Sequence, residues 1–329
     1  MLINFQQLMG NVTSVKGGTY HSYRSYGPKM EEVTIRDNDA DNKIAVIDVE
    51  GIITGQAIDQ GGFSMVSVVK EQLRRARRDN HVKAVILRVN SPGGEVLASD
   101  EIAKAISEFQ TKANKPVVVS MGSLAASGGY YVSAPCDWIV ANELTITGSI
   151  GVIMHGFNYR ALMDKVGVRP EVYKSGKFKD MLSGSKSPEE IDPEERKMVQ
   201  ALIDETFERF KTVVAEGRNA AYNAHKGKAL DADWKDYADG RILSGNEAYR
   251  LGFVDELGDL ETAIKRTKDL AHIGKENANL IQYQPVFELS NLFRLFGKSE
   301  AKSVKLDLGI DIPKLNAGYL YFISPTYLH

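Results

Sequence analysis

Val118-Val119-Ser120-Met121-Gly122-Ser123-Leu124-Ala125-Ala126-Ser127-Gly128-Gly129-Tyr130-Tyr131 is the stretch on which the reading of the chain turns. It begins as an apolar β run from Pro116 to Met121, collapses into small residues, and restarts in a helical pattern through Val132. A serine stands at that turn with two glycines behind it. The backbone N–H groups of a helix's first turn lack intrahelical partners and point at whatever sits there. Gly128 has no side chain, so its N–H can approach a developing oxyanion closely. A tight strand-to-helix turn that needs small residues only for packing would account for the same composition.

Outward from this turn the chain alternates. Ile44–Val49 and Val82–Val89 are strands, mostly apolar, as in a sheet covered on both faces. Ser64 caps a helix to about Arg78, with Val66, Val69, Leu73 and Ala76 on one face. A second helix runs from about Leu97 to Phe109. Strand, helix, strand, helix is the βαβ pattern of a parallel sheet. Right-handed crossovers bring strand-end loops to one edge, so Asn90-Ser91-Pro92-Gly93-Gly94 should lie beside residues 122–129. Further short strands are expected at Trp138–Ala141, Ser149–Met154 and Glu171–Lys174. Further helices are expected at Asn158–Val166, from Pro193 to about Gly217, at Gly245–Leu251 and at Leu260–Ala271.

Composition narrows the function classes. The 329 residues suit one large α/β domain, and 43% hydrophobic with 26% charged is ordinary for a globular protein. A net charge of −2 gives no overall basic field for nucleic acid. The single Cys136 excludes an intramolecular disulfide and any multi-cysteine zinc site. Histidines at 21, 81, 155, 225, 272 and 329 show no metal-ligand spacing, so neither metal nor cofactor is expected. No run approaches the roughly 20 apolar residues that span a bilayer. Met1–Val12 is not a convincing signal peptide, so the chain as given reads as soluble, cytoplasmic or peripheral at a membrane.

The organisation expected is an N-terminal arm over 1–42, a main domain over 43–272 and a C-terminal extension over 273–329. Phe287–Phe296 is a candidate amphipathic helix. Gly318–Ile323 is an unusually apolar end that should dock, either as a structural strand or in a groove beside Ser127.

Two turn amides, one from Pro92-Gly93-Gly94 and one from Gly128, would make an oxyanion hole for acyl transfer. Ser127 then needs a base. His155, His225 and His272 are poor candidates from their surroundings. A lysine base must be neutral to accept a proton, which requires burial away from carboxylates. Lys174, Lys177 and Lys179 cluster in one glycine-containing loop after a strand, and composition alone favours reading them as a solvated basic loop.

Five segments resemble the signal peptide peptidase A family of serine proteases. They are Asn90–Gly94, Met121–Tyr131, Leu144–Val152, Lys174–Asp180 and Ala238–Arg241 with Val254–Gly258, in the family's order. The resemblance implies an α/β, ClpP/crotonase-like fold of repeated ββα units with a C-terminal helical extension. It implies a Ser–Lys dyad, with Ser127 as nucleophile, Lys179 as general base and Ser149 orienting the lysine. Gly94 and Gly128 fall on the oxyanion-hole donors, and Lys174 and Lys177 become surface charge. The chain resembles the short, single-domain members, whose protomers form a ring in which one protomer's lysine completes its neighbour's site. Implied substrates are unfolded or short peptides such as signal-peptide remnants, cut through an acyl-enzyme after small or apolar residues. The family's usual membrane anchor in the bacterial cytoplasmic membrane has no match here. Two other readings share the fold: a crotonase-like acyl-CoA enzyme, and a non-catalytic scaffold.

Overall fold

The apolar strands are apolar on both faces because helices cover both sides of one sheet. The structure, a computed structural model, describes residues 27–57, 63–273, 277–286 and 320–323. Its strands are β1 (Met30–Arg36), β2 (Asn42–Glu50), β3 (Val82–Ser91), β4 (Gly93–Glu95), β5 (Val117–Ala126), β6 (Trp138–Ala141), β7 (Ile146–Gly148), β8 (Ile242–Ser244), β9 (Glu256–Leu257), β10 (Ala278–Pro285) and β11 (Tyr321–Ile323). The sheet order is β1-β10-β2-β3-β5-β6-β9, parallel from β10 to β9 with β1 antiparallel at the edge.

Alternation along the strands feeds two layers. Ala45, Ile47 and Val49 of β2, Val85, Leu87 and Val89 of β3, and Val117 and Val119 of β5 enter the main core. There they meet α1 (Met65–Arg78), α2 (Val96–Ala113), α3 (Gly128–Ser133) and the distal half of α5 (Pro193–His225). The intervening Ile44, Val46, Ile86 and Val118 pack on the other side, against Ala263 and Ile264 of α7 (Leu260–Leu270). Two short helices, α4 (Arg160–Lys165) and α6 (Gly245–Arg250), complete the order. Ser64 does cap α1, its side chain accepting from the Ser67 N–H at 3.2 Å.

Strand β5 forks, and the fork builds the site. Its first half pairs with β6, Val118 opposite Trp138, and its second half with β7, Ala126 opposite Gly148. Ser127 and Ser149, the next residue of each strand, therefore leave the sheet side by side.

The structure differs from the sequence reading in four places. Residues 30–36, read as part of a lightly ordered arm, form β1, and β10 lies in the sheet between β1 and β2. Glu171–Lys174 is exposed and forms no strand. Of Ser149–Met154, only Ile153 bridges a partner strand. The α5 helix continues past Gly217 to His225, ending where Lys226 turns left-handed. Phe287–Phe296 lies outside the described residues.

One buried ion pair ties α5 to the sheet. The Arg218 guanidinium lies 3.2 Å from the Asp255 carboxylate, each side chain 1% exposed, and it donates to the Cys136 carbonyl at 3.1 Å. Asp255 also accepts from the amides of Ile139 and Lys228. Burial pushes the Asp255 carboxyl up, and Arg218 opposes that. Removing the cation should leave a buried carboxylate uncompensated. Arg218→Ala is therefore expected to cost about 3–5 kcal/mol in urea unfolding at neutral pH. A raised folded-state carboxyl costs nothing below its unfolded value, about 3.9, and progressively more above it. The deficit should thus shrink in acid, and a loss that is small or independent of pH would contradict the pairing.

Candidate active site

Ser127 occupies a conformation that few side chains adopt: φ +54°, ψ −115°. A non-glycine residue held there costs about 1–3 kcal/mol, and the surroundings enforce it. Its N–H donates to the Gly148 carbonyl at 2.8 Å, and its carbonyl accepts from the Tyr131 N–H at 2.8 Å, the first bond of α3. The side chain does not cap that helix. Its Oγ is buried and has no hydrogen-bond partner. Buried hydroxyls are ordinarily satisfied, so an orphaned one on strained backbone makes Ser127 a candidate for a functional role.

The glycine loop is pressed against this turn. Gly93 sits at φ +104°, in the left-handed region, and Ser91 Oγ accepts its N–H at 3.1 Å. On the far edge the Gly93 carbonyl accepts from Ile53 N–H, and the Ile53 carbonyl accepts from Glu95 N–H, at 2.9 and 2.8 Å. A Cβ at Gly128 would lie 3.1 Å from the Gly94 nitrogen and 2.7 Å from Ser99 Oγ. The amides of Gly94 and Gly128 are thus neighbours, and only glycine permits it. Two adjacent N–H donors beside a serine hydroxyl are the parts that stabilise a tetrahedral acyl-transfer intermediate.

Ser149 is buried, also at positive φ (+49°), and its N–H donates to the Arg241 carbonyl at 2.7 Å. The Ala238–Arg241 segment is pinned in turn. Gly240 N–H donates to the Ile150 carbonyl, and the Arg241 guanidinium holds the Asp239 carboxyl down to about 2. That segment therefore shapes the strand end that carries Ser149.

Lys179 is not brought to Ser127 within the chain. It lies exposed in the turn following Gly176 and forms no bond to the serine. Its neighbours are committed elsewhere. Lys174 pairs with Asp180 at 2.9 Å, Lys177 with Asp192 at 2.6 Å and Lys186 with Glu195 at 2.5 Å. Hydrogen bonds to Asp192 and Glu194 hold the Lys177 ammonium above its ordinary range, and Glu195 does the same for Lys186. Among the described residues of this loop, Lys179 alone has no ion pair.

Among the described residues, His225 faces Asp137 at 3.1 Å and the exposed His155 ring packs edge-on against Phe157. Among the described residues no group of His, Cys, Asp and Glu could hold a metal ion. No described helix is long and apolar enough to cross a membrane. Sequence reading missed the parts played by Ile53, Ser91 and Ser99. Their contributions are a backbone edge, one hydroxyl and one close contact, and only the adjacency of the two loops hinted at them.

Residues 109–274 match the model of peptidase family S49. The chain is 39% identical over 266 residues to the protein named "Putative signal peptide peptidase SppA" of Enterococcus faecium, covering 78% of this chain and 71% of that one. It is 35% identical over 240 residues to Protease 4 of Haemophilus influenzae, covering 72% of this chain and 36% of that one. To the chloroplastic serine protease SPPA of Arabidopsis thaliana it is 32% identical over 235 residues, covering 70% and 33%. The chain thus spans about a third of the length of the two longer relatives.

Proposed function

Since the chain belongs to peptidase family S49, a family of serine peptidases, we propose that it cleaves unfolded or short peptides, signal-peptide remnants among them, with a Ser127–Lys179 dyad. The observation that carries this is the buried, unpartnered Ser127 hydroxyl on strained backbone beside the Gly94 and Gly128 amides. Ser127 Oγ attacks the scissile carbonyl, and the two amides hold the oxyanion. Neutral Lys179 takes the serine proton and returns it to the leaving amine. Water then resolves the acyl-enzyme by the same route.

A lysine exposed on its own chain becomes a base only where something buries it. We propose that a neighbouring protomer does so, in a homo-oligomeric ring. The segment that carries Lys179 supports this. Phe157 is 78% exposed, Leu162 63% and Tyr173 88%, and Val166, Val172 and Leu182 are exposed with them. Apolar surface on this scale marks an interaction face.

A fluorophosphonate probe tests the nucleophile. Stoichiometric labelling at Ser127, with casein hydrolysis abolished by the label, is the expected result. Labelling absent from a folded protein would favour an acyl-CoA enzyme or a scaffold on this fold. Ser149 is assigned to orient the lysine. Ser149→Ala should therefore lower kcat by about 10²-fold, the scale of a mispositioned group, with KM little changed. An unchanged kcat would remove Ser149 from the mechanism.

A further inference from the structure

The loop that carries Lys179 also carries the carboxylate best placed to disable it. A lysine acts as a base only when neutral, and an opposite charge within about 4–6 Å holds it protonated. Asp180 follows Lys179 directly, in a turn where the Lys179 N–H donates to the Gly176 carbonyl at 3.2 Å and the Met181 N–H to the Phe178 carbonyl at 3.0 Å. Consecutive Cα atoms stand about 3.8 Å apart, which puts a free Asp180 carboxylate within reach of the neighbouring ammonium.

The structure takes that carboxylate up elsewhere. Both Asp180 oxygens accept from the Lys174 ammonium at 2.9 Å, and one also meets the Lys186 ammonium at 3.1 Å. Lys174 donates as well to the Lys177 carbonyl at 3.1 Å, which ties the loop across its base. Lys186 is 8% exposed and also grips Glu195, itself buried in the first turn of α5. Charge therefore alternates along Lys174, Asp180, Lys186 and Glu195. Three of these four side chains are largely out of solvent, and such a network holds better than an isolated surface pair. The hydrogen bond from Lys174, with Lys186 beside it, keeps the Asp180 carboxyl below its ordinary range.

The other acids around the loop are committed too. Glu171 accepts from the Tyr173 hydroxyl at 2.7 Å, and Asp192 and Glu194 both receive Lys177. Glu190 receives Arg160 of α4, and Glu189 is held by the Ser187 hydroxyl. Every carboxylate between residues 171 and 195 thus has a partner other than Lys179.

We infer that Lys174 is a positioning residue for the reaction of Ser127: with Lys186 behind it, it keeps the Asp180 carboxylate in bonds of its own, so that the loop offers Lys179 without a counter-charge. The inference rests on the Ser127–Lys179 reading. Lys174 does not touch the reacting atoms and acts only through Asp180. Without it, Asp180 keeps one partner instead of two and can turn to Lys179. The base then holds its proton to higher pH, and the acid limb of the rate profile moves up.

The pH dependence of kcat for peptide hydrolysis tests this, in Lys174→Gln and in the double variant Lys174→Gln with Asp180→Asn. In Lys174→Gln the acid limb should lie about one pH unit above the parent's, with KM little changed. The rate low on that limb then falls about tenfold and recovers at higher pH. Asp180→Asn in the same chain removes the freed carboxylate and should bring the limb back. Lys174→Arg, which keeps the charge and suits both carboxylate oxygens, should likewise recover the limb that Lys174→Gln shifts. Ion pairs that only staple the loop together predict a different result: a loss equal at every pH that Asp180→Asn does not repair. That result, or an acid limb unmoved in Lys174→Gln, overturns the inference, and the Ser–Lys reading stands if Lys179→Ala is inactive in the same assay. A Lys179→Ala protein as active as the parent overturns both.

Discussion

Ser127→Ala is expected to reduce peptide hydrolysis by about 10³–10⁶-fold while leaving the fold intact, because losing one member of a cooperating dyad costs nearly as much as losing both. The fold should survive for a structural reason. Ser127 Oγ makes no hydrogen bond, so its removal leaves no buried group newly unpaired. The strained backbone is held by the Gly148 and Tyr131 hydrogen bonds, which alanine keeps. Urea unfolding of Ser127→Ala should match the parent within about 0.5–1 kcal/mol, the ordinary range for a change without lost contacts. Full activity in Ser127→Ala would end the serine mechanism. A large stability loss would mean that the hydroxyl serves the fold.

Much of this was legible in the sequence, and the exceptions have physical causes. The unbroken apolar runs of β2, β3 and β5 signalled a sheet covered on both faces, and the observed cores take alternate residues of those runs to opposite sides. The small residues around Ser127 signalled close backbone approach, and the Cβ positions at Gly93 and Gly128 show what that approach is to. The positive φ of Ser127 itself left no trace, since serine has no compositional signature for it. Strand β10 was not legible because its partners, β1 and β2, are more than 200 residues away. Glu171–Lys174 misled in the opposite sense. Its Val172 and Tyr173 look like strand residues, but they are exposed and pair with no strand. Among the loop lysines composition could not choose. Ion pairs at Lys174, Lys177 and Lys186 separate them from Lys179, and those depend on carboxylates as distant as Glu195.

Lys179→Ala is expected to be as inactive as Ser127→Ala, and a mixture of the two to regain activity. Lys179→Arg should not rescue, because a guanidinium stays protonated at any working pH. The mixture decides where the base comes from. In a ring where each site takes its serine from one protomer and its lysine from the next, a Lys179→Ala protomer still offers Ser127. A Ser127→Ala neighbour on the correct side still offers Lys179. With equal amounts and random assembly, roughly a quarter of the heterologous interfaces carry both intact groups, so about a quarter of the parent's activity should return. Were the dyad contained in one chain, every protomer in the mixture would lack one member and none would recover. Subunit exchange must be shown separately, by native mass spectrometry of differently tagged protomers. Exchange without recovered activity would place Lys179 and Ser127 in the same protomer. The exposed apolar segment around Phe157, Leu162 and Tyr173 would then need another partner. Recovery that rises with the degree of exchange would assign that segment to the interface that buries Lys179, and the site would be complete only in the assembly.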